Sequence, residues 1–117
     1  MPTNRLNSFR FAFHGIAELF RTQANARIHL GITVATVAAG LFLKLDSTEW
    51  CMVILAISSV MAAEAYNTAL EKLTDLISPH IHPLAGSAKD LAAGAVLITA
   101  FGAAIVGLVI FLPKIIG

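Results

Sequence analysis

The sequence predicts an all-α membrane protein, with an N-terminal amphipathic helix on the membrane surface followed by three transmembrane helices. Composition is the first observation behind this prediction: of 117 residues, 57% are hydrophobic and 13% charged, against roughly 25% charged in an ordinary soluble domain. A chain this short buries a modest fraction of its surface, so that much apolar surface must meet something other than water. The second is arrangement, because the apolar residues fall into three long runs separated by short polar stretches. The third is the segment ahead of them, where bulky apolar and basic residues recur at helical spacing. The length allows a single domain, 1–117.

The surface helix is expected over about 5–22. Leu6, Phe9, Phe13, Ile16 and Phe20 are three or four residues apart, while Arg10, His14, Glu18 and Arg21 take other positions. Apolar bulk on one face and basic groups on another suit a helix lying in the membrane interface. The first span is placed at about 28–45, apolar from Ile28 to Leu43 between Arg27 and Lys44. It is near the short end for a span, and the flanking Arg and Lys extend it by snorkelling. Asp46, Ser47, Thr48 and Glu49 then read as a tight polar turn, with Trp50 where an interfacial aromatic belongs.

The second span is placed at about 50–77, with no Gly or Pro inside. At 1.5 Å per residue it would reach roughly 42 Å, beyond a hydrocarbon core of about 30 Å. One end must therefore project, and the polar residues mark the C-terminal end. Ser78-Pro79 is expected to stop it, with Pro83 and Gly86 holding the following residues in a loop. The third span is placed at about 89–112. It is uncharged from Leu91 to Leu112, carries Gly94, Gly102 and Gly107 for close helix approach, and is expected to end at Pro113. Arg5, Arg10, Arg21 and Arg27 precede the first span, whereas Lys44 is offset by Asp46 and Glu49. The positive-inside rule then puts the N-terminus and the 78–90 loop in the cytoplasm.

Some classes are disfavoured. A net charge of +1 gives no electrostatic footprint for nucleic acid, so no nucleic-acid partner is expected. Cys51 is alone, which excludes a disulfide framework or a cysteine-based zinc site within one chain. The first residues are amphipathic rather than continuously apolar, so no secretory signal is expected. No Gly-x-x-x-x-Gly-Lys-Ser/Thr phosphate loop occurs.

The residues that carry chemistry are Glu64, Asn67, Glu71 and Asp75, spaced by three, four and four. They fall within about an 80° sector of one helix. Glu64 lies some 22 Å along the axis from Glu49, inside the inner leaflet, where a carboxylate is costly and usually functional. Packing of a span does not need three acids and an amide on one face. Lys89 and Asp90 open the third span on the same side of the membrane. An ammonium beside carboxylates with room for a divalent cation suits a polyphosphate, and Glu71 is placed to ligate Mg²⁺. Glu64, deeper, is placed to take a proton from a lipid hydroxyl. His80 and His82, in a loop beside prolines, suit surface or nucleotide contact better than a metal site.

The run Glu64-Ala65-Tyr66-Asn67-Thr68-Ala69-Leu70-Glu71-Lys72-Leu73-Thr74-Asp75, with His82-Pro83-Leu84-Ala85-Gly86-Ser87-Ala88-Lys89-Asp90 after it, resembles the prokaryotic membrane diacylglycerol kinase and undecaprenol kinase family. The likeness extends through Asn7-Ser8-Phe9, Gly15-Ile16 and Asn25-Ala26-Arg27-Ile28-His29, nearly the whole chain. It implies an ATP-dependent lipid kinase in the bacterial plasma membrane, working as a homotrimer whose sites are completed by a neighbour's surface helix. By this resemblance Glu64 is the catalytic base and Glu71 a ligand of the ATP-bound Mg²⁺. Lys89 and Asp90 hold the nucleotide, His80 to His82 lie along it, Asn67 and Asp75 support the site, and Arg27 supports it or contacts lipid. The family's second metal-ligating glutamate, four residues before Arg27, is here Gln23, an amide oxygen with one negative charge fewer. The wording around His82-Pro83 and Ala92-Ala93-Gly94-Ala95 is closer to the undecaprenol branch, with diacylglycerol the alternative acceptor. A small oligomeric transporter or channel, using Glu64 as a proton or cation site, is the rival class. It would place acids near the midplane rather than toward one face.

Overall fold

The computed structural model describes residues 5–117, which form four helices joined by short turns. These are α1 (Arg5–Thr22), α2 (Ala24–Leu43), α3 (Ser47–Ile77) and α4 (Pro83–Ile116). They make an elongated body of 54 × 38 × 21 Å. α3 and α4 pack most extensively; α2 and α1 rest more lightly on α3. α2, α3 and α4 are each long and apolar enough to cross a membrane.

α1 and α2 are separated by Gln23 alone, whose backbone is extended (φ −109°, ψ 114°). The elbow is held by Arg27, whose Nη1 donates to the carbonyls of Phe20 and Arg21 at 3.0 and 2.9 Å. Those carbonyls lack partners at the end of a helix, and a guanidinium there also meets the negative end of the helix dipole.

Two boundaries differ from the sequence expectation because of capping. The polar stretch after α2 is not a free turn. Asp46 Oδ1 accepts from Glu49 N–H at 2.8 Å, and Glu49 Oε1 accepts from Asp46 N–H at 3.0 Å. This capping box starts α3 at Ser47, ahead of Trp50. Likewise α4 starts at Pro83, not at 89, because His82 Nδ1 accepts from Leu84 N–H at 3.1 Å and proline occupies the first helical position. Proline's missing N–H is no loss there. At the far end Pro113 does not end the helix, which runs on to Ile116. It forfeits a single backbone bond in the last turn, and its own carbonyl accepts from Gly117 N–H at 2.9 Å.

The buried apolar cluster of Leu45, Val53 and Ile110, with Trp50, Ile57, Val106 and Phe111 against it, lies at the α2–α3 turn. Gly40 is part of this packing. A Cβ there would stand 2.7 Å from Trp50 Cη2 and 3.0 Å from Leu45 Cδ1. Gly40→Ala is therefore expected to lower stability by about 1–3 kcal/mol, the usual cost of overpacking. Denaturant titration in detergent micelles measures it, and an unchanged midpoint would refute this tight approach.

Hydroxyls within the apolar lengths bond back along their own helices: Thr36 to Ile32 O, Ser58 to Ile54 O and Ser59 to Leu55 O, each at 2.7 Å. These three side chains therefore carry no orphan donor into an apolar environment. Large apolar side chains such as Phe42, Leu55, Leu97, Phe101 and Leu108 remain exposed within the single chain. Surface of that extent calls for lipid or further protein.

Candidate active site

The C-terminal half of α3 carries the polar stripe, and each of the other helices sends one polar group to it. From α2 comes His29, whose Nε2 is 3.4 Å from Glu64 Oε1. From α1 comes Glu18, ion-paired with Lys72. From α4 comes Lys89, whose Nζ is 2.5 Å from Asp75 Oδ1. The sequence alone marked Lys89 but neither His29 nor the Glu18–Lys72 pair as site residues. A signal for His29 was present: it is the one ionisable residue between Arg27 and Lys44, two positions into an apolar run.

Glu64 is the most buried polar residue described, 3% exposed. Among the described residues its Oε1 has no hydrogen-bond partner despite the proximity of His29, because the 3.4 Å contact lacks bonding geometry. One turn along the same face, Asn67 Oδ1 is also buried and unpartnered. Nearly all buried polar atoms in folded proteins are paired, so two such oxygens on adjacent turns mark a place prepared for a further contact. Thr68, next to Asn67, is satisfied, its Oγ1 donating to Glu64 O at 2.9 Å.

Glu71 is half-buried and Asp75 exposed, so the stripe grades from an apolar interior toward open solvent. Asp75, His80, His82 and Lys89 line one cleft of about 220 Å³ at the α3–α4 connection. His82 Nδ1 is engaged as the cap of α4, leaving Nε2 toward other contacts. Asp90 is not brought into this cleft. Successive residues of a helix lie about 100° apart round its axis, so Asp90 faces away from Lys89 and lines a separate groove with Ser87 and Gly94.

Gln23 is half-buried at the α1–α2 elbow, its Nε2 donating to Thr22 Oγ1 at 3.3 Å. Arg27 reaches the end of α1 rather than the α3 stripe. Among the described residues no three His, Cys, Asp or Glu side chains gather as a metal cage.

This arrangement can be compared with known proteins. The model of the family described as prokaryotic diacylglycerol kinase matches residues 10–111. The undecaprenol kinase of Bacillus subtilis is 42% identical, over 96% of this chain and 94% of its own length. A diacylglycerol kinase of Synechocystis is 43% identical over 97% of this chain, which spans 65% of that protein. The Escherichia coli diacylglycerol kinase is 27% identical over 82% of this chain and 79% of its own. With a family match that runs almost end to end and takes in the whole acidic face of α3, the chain belongs to the prokaryotic diacylglycerol kinase family and is a lipid kinase, a phosphotransferase to a lipid hydroxyl.

Proposed function

We propose that this kinase transfers the γ-phosphate of ATP to a membrane-lipid hydroxyl at the cytoplasmic face, with undecaprenol the favoured acceptor and diacylglycerol the alternative. The buried, unpartnered carboxylate of Glu64 is the observation that carries the catalytic reading. It sits where the apolar length of α3 gives way to its charged end, the depth at which a lipid hydroxyl lies. Taking 1.5 Å per residue, Glu71 is about 10 Å further along the axis and Asp75 about 16 Å. The order along α3 is thus proton acceptor, phosphate region and nucleotide cleft.

In this reading Glu64 accepts the hydroxyl proton as the lipid oxygen attacks, and the Asn67 amide oxygen orients the acceptor from the adjacent turn. Lys89, held by Asp75, places positive charge beside the phosphates, with His80 and His82 along the nucleotide. Asp90 would act from its own groove, toward a nucleotide portion or toward a neighbouring subunit. The donor chemistry of Glu71 and Gln23, a carboxylate and an amide oxygen, fits Mg²⁺ brought in on ATP, since that ion takes few protein oxygens beside phosphate ones. When bound, it supplies charge neutralisation for the transferring phosphoryl group.

The apolar area left exposed on α2, α3 and α4 supports a homotrimer in the bilayer, with α1 on the membrane surface and sites completed between subunits. The arginines before α2 support a cytoplasmic N-terminus. Undecaprenol is favoured because the Bacillus subtilis undecaprenol kinase is matched at 42% over nearly its full length.

Phosphate transfer from labelled Mg-ATP in mixed micelles, with undecaprenol and diacylglycerol offered separately, tests this. Labelled undecaprenyl phosphate forming faster than phosphatidic acid is the expected result. Faster phosphatidic acid formation would reverse the acceptor preference. No lipid product from well-folded protein would defeat the catalytic reading.

A further inference from the structure

We infer that His29 is a positioning residue for Glu64, aiming the carboxylate from the neighbouring helix; the inference rests on the assignment of Glu64 as the base. The contact joins α2 to α3, with Nε2 at 3.4 Å from Oε1. The Glu64 side chain is 4% exposed and the imidazole 25%, so the carboxylate is enclosed while His29 stands at its edge. Oε1 has no other partner. A buried carboxylate oxygen left bare is costly, and a ring N–H is a donor within about half an ångström of bonding distance. Catalytic hydrogen bonds that are long without substrate commonly tighten once it is bound.

A second feature sets the direction in which this pair works. His29 lines a largely apolar groove of about 400 Å³ between α2, α3 and α4, together with Thr36, Val53, Val60 and Gly107. The imidazole therefore stands between the apolar groove and the base. Donation from Nε2–H to Oε1 fixes the carboxylate rotamer and leaves Oε2 to take the hydroxyl proton. Without that donor Glu64 has, among the described residues, no polar partner from another helix to fix its orientation, and turnover suffers more than binding.

The test compares His29→Leu, which removes the donor, with His29→Gln, whose amide nitrogen reaches the same position as Nε2, and uses Glu64→Gln as reference. Steady-state kinetics are measured on proteins with matched size-exclusion profiles in detergent. His29→Leu is expected to lower kcat on the order of a hundredfold, with lipid and Mg-ATP KM within about twofold, as misorientation of a reacting group does. His29→Gln is expected to keep most of kcat. Unchanged kcat in His29→Leu, equal losses in both variants, or a loss confined to KM would each overturn the inference. If the leucine variant does not fold, His29→Asn, whose amide falls short of Oε1, replaces it under the same criteria. A fully active Glu64→Gln enzyme would instead overturn the base assignment itself, whatever the His29 variants do. An inactive Glu64→Gln beside an indifferent His29→Leu would sink only the positioning role.

Discussion

Glu64→Gln is expected to lower kcat for phosphate transfer by about a thousandfold, mid-range for removing a positioned general base. The substitution keeps shape and volume but removes the group that accepts the proton. Because the proposed nucleotide cleft lies about 16 Å along α3, KM for Mg-ATP should change little. That separation distinguishes a base from a residue that binds the nucleotide. Stability provides a second, independent readout. A carboxylate 3% exposed with one oxygen unpaired carries a desolvation penalty that an amide avoids. The glutamine variant should therefore be at least as stable as the parent in denaturant titration. An inactive protein that is also destabilised would point to damaged packing; one that is inactive and equally or more stable points to lost chemistry. Retained activity would remove Glu64 from the catalytic role.

Much of this site was legible in the sequence, and the residues show why. Glu64, Asn67, Glu71 and Asp75 lie on one continuous helix, and helical periodicity alone places them on a common face. An acid in an apolar run is conspicuous because the surroundings penalise it. What escaped was of two kinds. Boundaries shifted where residues taken as helix breakers act as starters: Pro83 sits at the first position of α4, and Asp46 with Glu49 begins α3. Asp90 parts from Lys89 for a simpler reason, since adjacent helical residues point about 100° apart and the two line separate grooves. Contacts between helices also escaped. Periodicity tells which face of α3 is polar but not which residue of α2 meets it, so His29 against Glu64 required the structure. Arg27 shows the same limit, since its spacing to Phe20 and Arg21 gives no sign that the chain folds back at Gln23 to let it cap α1.

Glu71→Gln is the second change expected to have a large effect, and its signature differs from that of Glu64→Gln. Glu71 is half-buried between Glu64 and the proposed nucleotide cleft, and an amide there keeps an oxygen but loses the negative charge. Even changes beside a metal ligand commonly cost ten- to a hundredfold, so kcat/KM for Mg-ATP should fall by at least about a hundredfold. The free Mg²⁺ needed for half-maximal rate should rise, whereas in Glu64→Gln it should not move. Gln23 supplies a complementary test, because in the proposed reading its amide takes the place of a second carboxylate for the same ion. Gln23→Glu should lower the Mg²⁺ requirement in the parent and recover part of the loss in Glu71→Gln. Titrating rate against free Mg²⁺ at fixed ATP, alongside calorimetry of Mg-ATP binding, measures all three variants together. If Glu71→Gln lost activity with an unmoved Mg²⁺ dependence, Glu71 would act on substrate geometry rather than on the ion. Recovery by Gln23→Glu would show that the two side chains, one on α3 and one at the α1–α2 elbow, share a single charge requirement.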